Sequence, residues 1–114
     1  MIFEKFEDII AWQKAKVLTI DIYKAFSESK DYGFKDQIQR ASVLIMNNIT
    51  EGYERKSNNE VKQFLYIAKG SCGEVRSMLM LAKEFKKMKE SEYSKLFTLS
   101  EEISKIFSGL IKTL

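Results

Sequence analysis

Four stretches of this chain repeat apolar residues at every third or fourth position, and no proline interrupts any of them. That spacing lines one side of a helix. The absence of proline removes the residue that kinks helix interiors, and it argues against all-β architectures, which lean on turn prolines and many glycines. The first helix is expected over residues 8–26. Ala11, Ala15, Leu18, Ile22 and Phe26 form its inward stripe, and Asp8 stands at its start as an N-cap. Residues 27–31 are polar and read as a connector. A second helix over 33–51 carries Phe34, Ile38, Ala41, Ile45 and Ile49, with Gly52 as its stop. After a loop at 53–56, Ser57 and Glu60 have the form of a capping box.

The third helix, over 58–88, is the longest, about 45 Å at 1.5 Å per residue. Val61, Phe64, Leu65, Ala68, Cys72, Val75, Leu79 and Ala82 make its core stripe. The fourth, over 92–112 and capped by Ser91, turns Leu96, Leu99, Ile103, Ile106, Phe107 and Leu110 inward. Four amphipathic helices with short connections specify an all-α, antiparallel up-down-up-down four-helix bundle. At 114 residues it is a single domain, 1–114, with no linker, low-complexity tract or internal repeat.

Two helices carry more than one core stripe needs. On the third helix a second stripe of Tyr66, Ile67, Gly70, Gly73, Ser77, Met80 and Leu81 lies almost opposite the first. One bundle core uses only one of them. Glycine in a helix interior costs about 1 kcal/mol, so Gly70 and Gly73 need a packing reason. Subunit contacts through Tyr66, Ile67, Gly70, Gly73, Met80 and Leu81, in a cyclic homo-oligomer, would supply it. On the second helix Gln37, Arg40, Leu44, Asn48 and Glu51 fall within a sector of about 80° beside the core stripe. Polar groups that close to a core need partners. The partners are an internal network, with Asn48 and Glu51 bonding the next helix, or a second subunit, or a ligand.

The residue inventory excludes much chemistry. Histidine is absent, which removes His-based acid-base catalysis, Ser-His and Cys-His pairs, and the Glu-x-x-His metal sites of carboxylate bundles. One cysteine, Cys72, allows no intrachain disulfide or cysteine zinc site, reads as a buried filler, and suits a reducing cytoplasm. No phosphate-loop or GxGxxG motif occurs, since Gly70-Ser71-Cys72-Gly73 lies inside a helical pattern. The first twelve residues hold acids and no small-residue cleavage site, unlike a signal peptide. No apolar run reaches the ~18 residues of a membrane span. Glu51 and Glu74 could share acid-base work only if the fold joined them. No catalytic residue, metal or cofactor is therefore expected, and Trp12 reads as a groove-filling aromatic more readily than as a base-stacking platform.

Charge is uneven. Residues 53–89 hold nine Lys/Arg against four Glu, while the segments on either side are slightly acidic. Arg55, Lys56 and Lys62 cluster at one end of the third helix, and Lys83, Lys86, Lys87 and Lys89 at the other. Such a surplus fits contact with phosphate backbones. The plainer reading is a solvated face, since +3 overall is mild.

Several short patterns together resemble a known family. They are Phe6-Glu7-Asp8-Ile9 with Trp12-Gln13-Lys14-Ala15, Tyr32-Gly33-Phe34, Gln37-Ile38-Gln39-Arg40-Ala41, Asn48-Ile49-Thr50-Glu51-Gly52 with Arg55, and Phe64-Leu65, Ala68-Lys69-Gly70-Ser71 and Glu74. Over residues 6–82 the chain is similar to the four-helix bundle proteins encoded in 23S ribosomal RNA intervening sequences. It departs from them at Leu44, where serine is usual, and at Met46, where proline is usual, so the second helix should run straighter. The resemblance implies a bacterial cytoplasmic protein and a ring-like homo-oligomer, typically a pentamer. It also implies kinship with accessory proteins of diversity-generating retroelements, which bind nucleic acid, RNA or DNA, and a reverse transcriptase. Two function classes follow: a homo-oligomeric, non-enzymatic nucleic-acid-binding protein, or a structural or protein-interaction scaffold without nucleic-acid affinity.

Overall fold

The computed structural model describes residues 5–114, with the side chain of Glu7 outside that description. The reading of the amino-terminal stretch therefore meets structure only from Lys5 onward. A short 3-10 turn, Phe6–Asp8, leads into α1 (Ile10–Ala25), α2 (Tyr32–Tyr53), α3 (Asn58–Glu84) and α4 (Glu90–Lys112). No strand occurs among the described residues. Helices α1 to α4 pack in ring order, each against its two neighbours, so α1 and α3 occupy opposite corners of the bundle, as do α2 and α4. The molecule is 43 Å long and about half as wide, with α3 running nearly its full length.

The core stripes follow the expected spacing except at Phe34 and Phe64, which are only half-buried, beneath Lys87 and Arg55. Ala11, Ala15, Leu18, Ile22 and Phe26 are buried from α1 and the residue after it, Ile38, Ala41, Ile45 and Ile49 from α2, and Leu65, Ala68, Cys72, Val75, Leu79 and Ala82 from α3. From α4 the buried set is Leu96, Ile103, Phe107 and Ile111, with Leu99, Ile106 and Leu110 packed at its margin. Small polar residues sit where helices cross. The Thr19 hydroxyl lies 2.8 Å from the Ala15 carbonyl and 3.2 Å from that of Ser42 on α2. The Ser42 and Ser100 hydroxyls donate to carbonyls one turn back, and the Cys72 thiol donates to the Ser100 carbonyl at 3.0 Å. Thr19, Ser42, Cys72 and Ser100 thus each keep a hydrogen-bond partner while the backbones approach closely.

The helix ends correct several expectations. Asp8 closes the 3-10 turn and caps nothing; Ile9 precedes α1 without a side-chain cap. Asp31 is the working cap of α2, accepting from the Phe34 N–H. Ser57 caps α3 as expected, while the Glu60 carboxylate takes the Ser57 hydroxyl. Helix α3 stops at Glu84 rather than near residue 88. There Lys86 adopts φ 55°, and the Lys87 and Lys86 N–H groups donate to the Ala82 and Lys83 carbonyls. That pair of bonds closes the helix by a Schellman turn, with lysine in the place usually held by glycine. Lys89, not Ser91, precedes α4, and its N–H donates to the Glu92 carboxylate. Gly52 is not a stop: α2 continues through it, and it is buried against α3.

Candidate functional site

Helix α3 presents to solvent the second stripe that its sequence carries. Tyr66, Ile67, Met80 and Leu81 are each about half exposed, and Phe85 just beyond the helix is 60 % exposed. Between them lie Gly70 and Gly73. A Cβ on Gly70 would meet nothing within 4 Å, and one on Gly73 would meet only the Arg76 guanidinium at 3.6 Å. Neither glycine is required by packing among the described residues. Ser77, Met80, Leu81, Lys83, Glu84 and Tyr93 border a shallow groove at the upper end of this face.

The sequence reading missed a second face. On α1, Ile10, Val17 and Ile20 are 56 %, 48 % and 43 % exposed. They fall opposite the core stripe of that helix at 100° per residue. The signal was the same as on α3, apolar positions at spacings of three and seven outside the core set. It is shorter, and it is diluted by Gln13 and Lys24.

Among the described residues the polar stripe of α2 does not form a network. Asn48 donates to the Leu44 carbonyl of its own helix at 2.8 Å, and Glu51 pairs with Arg55 at 3.0 Å just past the helix end. Neither bonds the next helix as expected. Gln37 and Arg40 are exposed and have no partner among the described residues. The physical reason is position on the helix: the stripe lies to one side of the buried Ala41 and Ile45, and all of it but the half-buried Asn48 is exposed.

The seven cations expected at a nucleic-acid surface divide into two kinds. Arg55, Lys83 and Lys87 are engaged. Arg55 stacks over the Phe64 ring at 4.7 Å while pairing with Glu51. Lys83 pairs with Glu90 and lies over Tyr93. Lys87, only 23 % exposed, pairs with Asp31 at 2.9 Å over the Phe34 ring. It ties the end of α3 to the start of α2, and its hydrogen bond, with the Phe34 N–H, holds the Asp31 carboxyl below its ordinary range. Lys56, Lys62, Lys86 and Lys89 have no side-chain partner among the described residues. Lys56 and Lys62 lie at one end of α3 and Lys86 and Lys89 beyond the other, about 40 Å apart at 1.5 Å per residue.

Among the described residues, the candidate reactive groups lie apart. Burial pushes the Cys72 thiol up to about 11, against the pull of Arg76, so it is a poor nucleophile. Gly52, next to Glu51, faces Phe64, and Glu74 lies ten residues further along α3, about 15 Å away along the axis. No group of three or more metal-ligating side chains comes together among the described residues. Trp12 is half-buried, edge-on to Phe6 at 5.3 Å and covered by Lys16. The inter-helix clefts are open grooves; that between α1 and α4 is bordered by both signs of charge, Asp21, Glu92, Lys24 and Lys95. No helix among the described residues is long and apolar enough to cross a membrane.

Comparisons with known proteins bear on the whole bundle. Residues 7–109 match the profile of the 23S rRNA-intervening sequence protein family. No curated protein matches the sequence. A crystal structure of a protein of unknown function from the S23 ribosomal protein family of Bacteroides thetaiotaomicron superposes with a TM-score of 0.85 at 25 % identity, covering 90 % of this chain and 99 % of that one. The match reaches past the residue patterns of the first three helices and takes in most of α4, and with it the chain belongs to the 23S rRNA-intervening sequence protein family.

Proposed function

We propose that the protein is a non-enzymatic, homo-oligomeric scaffold of the cytoplasm, and that copies join through the outer face of α3. The observation that carries this reading is the pair Gly70 and Gly73. Each costs the helix about 1 kcal/mol relative to alanine, and neither is needed by packing within the chain. Their neighbours Tyr66, Ile67, Met80 and Leu81 leave apolar area in water, and a closely packed helix from another copy removes both costs. A closed ring such as a pentamer is one assembly built from such contacts. Light scattering at tens of micromolar tests it: a defined oligomer is expected, and a monomer overturns it.

A second reading is favoured by Lys56, Lys62, Lys86 and Lys89, four cations without side-chain partners among the described residues. Around an oligomer these become rings of positive charge suited to RNA or DNA phosphates. Binding should be tolerant of sequence and should weaken with salt, by a log-log slope of about −0.7 per neutralised phosphate on single strands. Reversal of Lys86 and Lys89 to glutamate should reduce it. The alternative, a scaffold without nucleic-acid affinity, predicts no retardation of RNA or DNA even at low salt. Binding of a reverse transcriptase, the remaining partner class, is tested by co-purification with the enzyme of a retroelement, should one neighbour the gene.

A further inference from the structure

We infer that the outer face of α3 in one copy docks on the outer face of α1 in the next, a head-to-tail contact that covers both exposed apolar faces at once. This rests on the assembly reading above and names the surface on the other side of the contact.

The two faces lie at opposite corners of the bundle. An α3-to-α3 contact would cover one and leave Ile10, Val17 and Ile20 in water. Charge complementarity favours the α3-to-α1 pairing. Glu74 and Glu84 on the α3 face are exposed and unpaired among the described residues, whereas α1 offers Lys24 and Lys16, the latter lying over the Trp12 ring without a carboxylate partner. Its other charges are already used: Lys14 on Glu102, and Asp21 facing Lys95.

Register supports the same pairing. Thr19 is level with Ser42, and Gly52 with Phe64, so Thr19 is level with about Glu74 along the bundle axis. Helices α1 and α3 run in the same direction in an up-down-up-down bundle. A shift of about four residues, roughly 6 Å, then sets Lys16 beside Glu74 and Lys24 beside Glu84. At that shift Val17 lies between Gly73 and Ser77, where small residues leave room, and Ile20 lies near Met80. One displacement satisfies both charge pairs and the apolar contacts. A head-to-tail contact of this kind closes into a ring when the bundle axes tilt enough to take up the step of about 6 Å, and otherwise grows as a helical filament.

The test uses two single variants and their mixture. Val17→Asp disables the α1 face, and Gly70→Arg disables the α3 face. Both sites are exposed, and circular dichroism should find each variant folded. Sedimentation should show each variant monomeric alone and the mixture as a one-to-one dimer, because each variant keeps the face the other lacks. Lys24→Glu and Glu84→Lys should each raise the dissociation constant about tenfold, and the double reversal should restore it. If the parent assembles and Val17→Asp assembles equally well, or if the mixture stays monomeric, this pairing is wrong while the assembly reading stands. A monomeric parent overturns both.

Discussion

Gly52 and Gly70 are both glycines inside long helices, and the structure uses them in opposite ways. Gly52 is buried, and a Cβ there would stand 3.1 Å from the Phe64 Cβ. That contact brings α2 against α3 and lets Arg55 fold over the Phe64 ring. Gly70 is exposed, and a Cβ there would meet nothing within 4 Å. The same helix-weakening residue is explained inside the chain at one position and unexplained inside it at the other. Lys86 completes the comparison. The backbone adopts φ 55° there, where glycine is favoured, and the chain supplies lysine.

Gly52 gives the largest expected effect. Gly52→Val forces branched atoms against a Cβ anchored to the α3 backbone, and overpacking of this kind costs about 1–3 kcal/mol. Urea unfolding should show the loss. An unchanged midpoint would mean that α2 and α3 separate freely, and the contrast with Gly70 would lose its first half. Lys86→Gly should act in the other direction, stabilising the chain by about 1 kcal/mol through relief of the left-handed strain. The same variant removes one unpaired cation, so a gain in stability together with weaker RNA retardation would identify Lys86 as a residue kept for its charge. The smallest effect belongs to Asp31. Lys87 and the Phe34 N–H lower its folded pKa below 3.8, so its contribution is present above that value and is lost as pH falls through the folded pKa. Asp31 is half exposed and salt screens the pair, so the loss should be slight. NMR titration should find the Asp31 carboxyl lowered, and Lys87→Ala should return it toward its ordinary value.

Core and surface were unequally legible in the sequence. The core stripes follow from spacing alone, because burying an apolar side chain outweighs nearly every local preference. Helix ends were read less well. Asp8 has the chemistry of a cap but belongs to a 3-10 turn, while Asp31 does the capping at α2. Gly52 has the chemistry of a stop, yet the demand for close packing with Phe64 carries α2 past it. The candidate sites were legible as residue lists but not as partners. Lys87 looked like one more free cation until the end of α3 curled back to Asp31, a contact spanning more than fifty residues. The polar stripe of α2 sat beside the core on a helical wheel, yet Gln37, Arg40, Leu44 and Glu51 face outward in the fold. The α1 face went unread because its apolar positions are fewer than those of its core stripe.

The most direct test of the central claim, that the α3 outer face exists for contact with another copy, is the double variant Gly70→Ala, Gly73→Ala. Alanine removes the helix penalty of about 1 kcal/mol at each site. The dissociated chain should therefore unfold at higher urea than the parent, while light scattering finds the oligomer weakened, because two added methyl groups hold the neighbouring helix away. A dissociated chain that becomes less stable would show that the glycines serve the single bundle after all. A more stable chain with undiminished assembly would show that copies do not meet at this face.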